Sequence, residues 1–232
     1  MASAMKNHLK SLFDFGPLAA VYEDWYSTPE GKAHDLVQQK DVAALLPPAR
    51  EGQKLLDVGC GTGHWCRFFS AQGYRVKGID ISTEMISVAR QALPELSFEV
   101  GDAGTLPFDD GSFDVTTSIT ALEFFPDPDA AVKEMARCSR SDGLMLIGTL
   151  NRIAPINQER LAAAVEPFVS GHLLGPKELL DLISPFGEVR MVSSPVPGPR
   201  KEPRLILANP DPTDMNDLLG PLLVALVRRR EQ

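Results

Sequence analysis

A chain of 232 residues, 44% hydrophobic and 23% charged, has room for a sizeable core and the composition of an ordered globular protein, which excludes disorder as its main state. Its 31 acidic against 23 basic side chains give a formal net charge of −8, which argues against nucleic acid as the principal partner. Three cysteines without a C-x-x-C pair make neither a disulfide framework nor a zinc site and suit a reducing compartment. The N-terminus lacks the apolar core of a signal peptide and no run reaches the roughly 18 apolar residues of a membrane span, so a cytoplasmic protein without a bound metal is expected.

From Met1 to about Ala20 apolar and polar residues follow no sustained period. Tyr22, Trp25 and Tyr26 then stand ahead of Thr28-Pro29, where Thr28 reads as an N-cap and Pro29 as the first residue of a helix running to Leu46 and stopped by Pro47-Pro48. These aromatics are either the packing face of an N-terminal helix or a cover over a ligand. The stretch from Lys54 to Trp65, KLLDVGCGTGHW, reads as a short buried strand through Asp57 followed by glycines at alternate positions, Gly59, Gly61 and Gly63, that turn the chain tightly into a helix. Such a turn lets main-chain N–H groups approach a bound molecule, and the following helix presents its own unpaired N–H groups. The dinucleotide fingerprint G-x-G-x-x-G would require glycine where His64 stands, which disfavours a nicotinamide cofactor; His64 is placed instead to hold the turn.

Arg75 to Asp80 read as a second strand, and Ser82 caps a helix through about Leu93. A carboxylate at the end of that strand can accept hydrogen bonds from two vicinal ribose hydroxyls, or can be a solvated loop acid. Ile81 and Met85 beside it are candidate neighbours of an adenosine, Met85 equally a core residue. Leu96 to Val100 make a third strand followed by Gly101-Asp102-Ala103. The turn-rich passage from Thr105 to Asp114 leads into a fourth, Val115 to Ile119, and Asp127-Pro128 cap a helix through about Cys138. Leu144 to Leu150 make a fifth, almost wholly apolar strand, as expected when both sheet faces are covered. Two helical pieces, Gln158 to Val169 and Pro176 to Ile183, flank Ser170-Gly171-His172. Val189 to Ser194 and Arg204 to Ala208 are expected to pair as an antiparallel hairpin whose connection carries Arg200 and Lys201. The apolar face of Met215, Leu218, Leu219, Leu222, Leu223 and Leu226 reads as a C-terminal helix interrupted at Gly220-Pro221 and ended by Arg228, Arg229 and Arg230.

This alternation predicts an α/β fold: a Rossmann-like, doubly wound, seven-stranded sheet, mostly parallel with the last hairpin antiparallel, and helices on both faces. The expected divisions are an N-terminal helical lid segment over 1–46, a core over 47–210 with an acceptor-side insert at about 151–185, and a C-terminal helix over 211–232. A ligand in such a fold sits beyond the carboxyl ends of the strands, where Asp57, the glycine loop, Asp80 and Asp102 fall.

The string Asp57-x-Gly59-x-Gly61-x-Gly63, with Asp80 after the next strand and LPFDDGSFD from Leu106 to Asp114, resembles the class I methyltransferases that use S-adenosylmethionine (SAM), nearest their UbiE-like or methyltransferase 11 branch, over about Tyr22 to Pro210. The resemblance implies an enzyme that passes a methyl group to a small-molecule acceptor and releases S-adenosylhomocysteine (SAH). It implies that Gly59, Cys60, Gly61 and Gly63 lie against the amino-acid end of SAM with Asp57 fixing the loop, and that Asp80 holds the ribose. Asp102 and Ala103 would then meet the adenine, Ile81, Met85 and Ile119 would be apolar neighbours, and the segment of Tyr22 and Trp25 would form a lid. Relatives often carry a histidine pair after the fourth strand, where this chain has Glu123, Phe124 and Phe125. For an acceptor that carries a proton, Glu123 at the strand end and His172 in the insert are the candidate bases; each can equally be a helix-start acid and a loop histidine. A catalytically silent SAM-binding or partner-regulating domain would carry the same motif. The sequence leaves a homodimer open.

Overall fold

Strand β1 (Lys54–Val58) lies between β2 (Arg75–Asp80) and β4 (Phe113–Ile119), parallel to both, which is why Leu55, Leu56 and Val58 can all be apolar and wholly buried. The protein is described by a computed structural model over residues 11–194, 205–206, 215 and 218–230. With β3 (Ser97–Val100), β5 (Ser139–Leu150), β6 (Gly187–Val192), β7 (Leu205–Ile206) and β8 (Leu222–Arg229) these strands form one eight-stranded sheet in the order β3-β2-β1-β4-β5-β8-β6-β7. The pairs from β3 through β5 are parallel, and β8 runs antiparallel between β5 and β6.

Because side chains alternate along a strand, Leu55 joins one core and Leu56 the other. The first core takes Val42 and Leu45 from α2 (Pro29–Leu45), Trp65, Cys66 and Phe69 from α3 (His64–Ala71), and Ile86 and Ala89 from α4 (Thr83–Ala92). The second takes Val132 and Met135 from α5 (Pro128–Cys138), and Leu179 and Ile183 from α7 (Pro176–Ile183). Helices thus cover both faces, as a doubly wound sheet requires. Caps hold the helix starts where the sequence puts them. Thr28 Oγ1 accepts the Gly31 N–H at 2.9 Å, Ser82 Oγ the Met85 N–H at 3.2 Å, and Asp127 Oδ1 the Ala130 N–H at 2.9 Å.

Two expectations need correction and a third holds over the residues described. Residues 222–229, expected within a C-terminal helix, form β8, the eighth strand of a sheet expected to have seven. Leu222, Val224 and Leu226 enter the first core while Leu223, Ala225 and Val227 enter the second, so every residue from Leu222 to Val227 is buried. A continuous apolar run satisfies helical and strand periods alike, and burial on both faces decides for the strand. The antiparallel hairpin expected between Val189–Ser194 and Arg204–Ala208 is present among the described residues in the pairs Met191 with Ile206 and Val192 with Leu205, and the other edge of β6 pairs with β8. Arg200, Lys201 and Arg204 lie outside the described residues. In the insert, the helix expected over 158–169 is α6 (Pro155–Ala162), opened by Pro155 and ended before Ala164, whose φ is +51°.

Candidate cofactor and acceptor site

The end of β1 turns through Gly59, Gly61 and Gly63, with φ of +75°, +53° and +89°. A Cβ on Gly59 would stand 2.4 Å from the Ala121 Cβ, so glycine there lets the turn press against the chain leaving β4. Nothing lies within 4 Å of the Cβ that Gly61 lacks, and the bare main chain faces the cleft. The Gly59 and Cys60 N–H groups both donate to the Ile79 carbonyl, at 2.8 and 3.1 Å.

The cleft beside this turn measures about 640 Å³, inside the range of roughly 300–1,000 Å³ usual for small-molecule sites. Gly59, Gly61, Asp80, Ile81, Met85, Asp102, Ala103 and Tyr22 all line it, which brings together eight of the residues the sequence singled out. Asp80 Oδ2 accepts the Gly61 N–H at 2.8 Å and Oδ1 the Ser82 N–H at 2.9 Å. Burial raises its pKa against the pull of those donors. A carboxylate offers about four lone-pair positions, so two remain for a ligand's vicinal hydroxyls. Asp102 Oδ1 accepts the Gly104 N–H at 2.8 Å.

Five other expected cofactor contacts do not line the cleft. Asp57, 1% exposed, lies beneath the loop, where Thr117 Oγ1 donates to it at 2.8 Å and Cys66 Sγ at 3.3 Å. Burial lifts its pKa to about 6. It supports the turn from below. The Cys60 thiol points into the core, 2.7 Å from where a Gly78 side chain would begin, and Gly63 is the N-cap of α3. Ile119 packs in the first core, because the strand's alternation turns it away; Thr120, with φ +52°, and Ala121 line the cleft instead. Trp25, 39% exposed, lies edge-on to Tyr26 outside the cleft. Tyr22, just before α1 (Asp24–Ser27), lines the cleft and meets the Tyr26 ring edge to face with centroids 6.3 Å apart.

The two candidate bases are likewise displaced. Glu123 is wholly buried in a 3₁₀ turn (Leu122–Phe124), its carboxylate accepting from Thr149 Oγ1 at 2.9 Å and from the Leu150 N–H at 3.3 Å. Burial pushes its pKa up to about 7. The Glu123 carbonyl accepts the His172 N–H at 2.7 Å, so the two residues meet through the backbone, but the His172 side chain is exposed and neither lines the cleft.

Sequence reasoning missed the aromatic wall made by Phe13, Phe15, Phe124 and Phe125, and the anchor of the N-terminal segment. The His64 ring stacks on Tyr26 with centroids 3.7 Å apart and planes 9° apart. Its Nε2 lies 2.8 Å from Asp35 Oδ1 and its Nδ1 3.6 Å from Glu23 Oε2, while Thr62 Oγ1 donates to Glu23 Oε1. Burial pulls the imidazole pKa down, but the bonds to Glu23 and Asp35 outweigh it and raise the pKa above its ordinary value. Glycine turn and α1–α2 are therefore tied together.

These features suit SAM: the cavity is large enough, the turn exposes bare main chain, and Asp80 retains acceptor capacity. Comparison with known proteins agrees. Residues 56–147 match the family described as a methyltransferase domain of the methyltransferase 11 type. A malonyl-[acyl-carrier protein] O-methyltransferase of Serratia marcescens is 34% identical over 115 residues, 48% of this chain and 45% of its own length. A ubiquinone biosynthesis O-methyltransferase of Xanthomonas axonopodis is 33% identical over 143 residues, 58% of this chain and 59% of its own. The chain thus spans about half the length of the curated relatives it matches. A SAM-dependent methyltransferase of Thermotoga maritima, described as a possible histamine N-methyltransferase, shares the fold with a TM-score of 0.72 at 22% identity, over 93% of this chain and 98% of its own. The match over residues 56–147 and the shared fold make this chain similar to class I SAM-dependent methyltransferases of the methyltransferase 11 type.

Proposed function

We propose that the chain moves the methyl group of SAM onto a small-molecule acceptor and releases SAH. The observation that carries this reading is Asp80, which lines the cleft and is fixed by the Gly61 and Ser82 N–H groups with lone pairs to spare. When bound, SAM supplies an electrophilic methyl group on its sulfonium, so the protein's task is to bind, orient and exclude water. Asp80 accepts from the ribose hydroxyls. Asp102 and Ala103 face the adenine, and Ile81 and Met85 give its ring apolar contact. Tyr22 with Phe15 and Phe124 shields the reacting region from water. Since neither Glu123 nor His172 reaches the cleft, positioning rather than a dedicated base carries the chemistry in this reading. The test is incubation of the protein with trideuteromethyl SAM and a metabolite extract. Labelled product and SAH above a protein-free control support it; SAM binding without either leaves a catalytically silent SAM-binding domain.

A further inference from the structure

We propose that the acceptor is an amine, which this cleft draws in as an ammonium ion held by aromatic rings and carboxylates at its mouth; the inference rests on the methyl-transfer reading above. Phe15 meets three other rings edge to face: Phe13 at 4.7 Å, Phe124 at 4.9 Å and Tyr22 at 6.2 Å between centroids. Rings packed at such angles turn π faces in several directions and form a concave corner, a shape suited to a cation because those faces carry negative potential.

Charge points the same way. Asp14, Glu84 and Asp127 are exposed, line the cleft, and come from three separate parts of the chain. Asp14 Oδ1 and Glu84 Oε2 each stand 3.1 Å from where a Gly16 side chain would begin, so two carboxylates lie close together across that glycine. Neither they nor Asp127 enter an ion pair among the described residues. No lysine, arginine or histidine lines the cleft among the described residues. In the methyl-transfer reading the sulfonium and ammonium of SAM lie at the glycine turn, and Asp14, Glu84 and Asp127, which accept from Gly16, from Ser82 and Thr83, and from Ala130, have no cationic partner among the described residues. A carboxylate or phosphate acceptor would meet only like charge there; an ammonium meets its complement.

For transfer, the ammonium gives one proton to water at the open mouth. The freed nitrogen lone pair forms the N–C bond as the C–S bond breaks, its electron pair passing to sulfur. SAH, a methylated ammonium ion and one released proton result.

The test uses SAH-loaded protein and two probes of similar shape and opposite charge, phenethylamine and 3-phenylpropionate, titrated by calorimetry near neutral pH. Phenethylamine is expected to bind at least tenfold more tightly, and Asp14→Asn to weaken it severalfold with SAH affinity kept within twofold. Equal or tighter binding of 3-phenylpropionate, or saturable binding of neither probe, overturns the amine inference while leaving SAM use intact. Failure of the wild-type protein to bind SAH overturns the methyl-transfer reading and the amine inference with it.

Discussion

The main-chain N–H of Gly61 donates to Asp80 Oδ2 at 2.8 Å, so the turn after β1 and the carboxylate after β2 hold each other in place. A distortion of the turn must therefore reach the ribose side of the site. Gly59 and Gly61 both sit at positive φ, where a side chain costs about 1–2 kcal/mol, but only Gly59 has a neighbour in the way. Gly61→Ala is expected to destabilise folding by about that amount. Gly59→Ala adds a contact 2.4 Å from Ala121 Cβ, for a total of about 2–5 kcal/mol. Urea denaturation of the two variants compares them, and equal losses would contradict the packing assigned to Gly59.

Tyr22 and Trp25 are separable by binding. Tyr22 lines the cleft, and its phenol stays protonated because burial, then the nearby Glu123, Glu23 and Asp80, push its pKa up to about 12. Tyr22→Ala is expected to weaken SAH binding about tenfold, the ~1.4 kcal/mol expected for losing part of a buried aromatic contact. Trp25→Ala should change it less than twofold. A larger effect from Trp25 would show that the segment closes differently around the cofactor.

Glu123 has a pH signature. Its folded pKa, about 7, lies above the ordinary carboxyl value, so the folded state holds a proton that the unfolded chain has already released. Its contribution to stability therefore falls as pH rises from about 4.5 through 7 and levels off above, with a total span on the order of 3 kcal/mol. Glu123→Gln removes this dependence whatever its pH-independent cost, so the variant should gain on wild type across that window. Parallel stability curves would place the carboxylate in a more polar setting than the bonds from Thr149 and Leu150 describe.

His64 works in a neighbouring pH window. With its folded pKa raised by Glu23 and Asp35, it supports docking of α1 and α2 below the ordinary histidine value and loses that support as pH rises through the folded one. Amide exchange over residues 23–36, corrected for intrinsic rates, should show protection that declines with rising pH in wild type. In His64→Gln it should be low throughout. Unchanged protection in the variant would mean that Tyr26 stacking alone holds the segment.

What the sequence revealed follows from which constraints are local. Gly59, Gly61, Asp80 and Asp102 were legible because a sharp turn demands glycine and because ligands sit beyond strand ends. β8 was misread because an unbroken apolar run fits two periods, and only the partners on both faces choose between them. Glu123 was placed at the correct strand end but on the wrong side: the direction of its carboxylate is set by Thr149, on a strand 26 residues away. Phe13 and Phe15 gave no signal, since their role arises from contact with Phe124, which no local pattern encodes.

Titration of SAH into wild-type protein and Asp80→Ala tests the cofactor assignment most directly. The carboxylate's spare lone pairs should supply about 1.5–3 kcal/mol through charge-assisted bonds to the ribose, roughly a tenfold to hundredfold loss in the variant. One-to-one saturable binding by wild type, weakened to that extent in a variant whose thermal melt remains cooperative, is the predicted result. Equal affinity in the two proteins, or no binding by wild type, would contradict it.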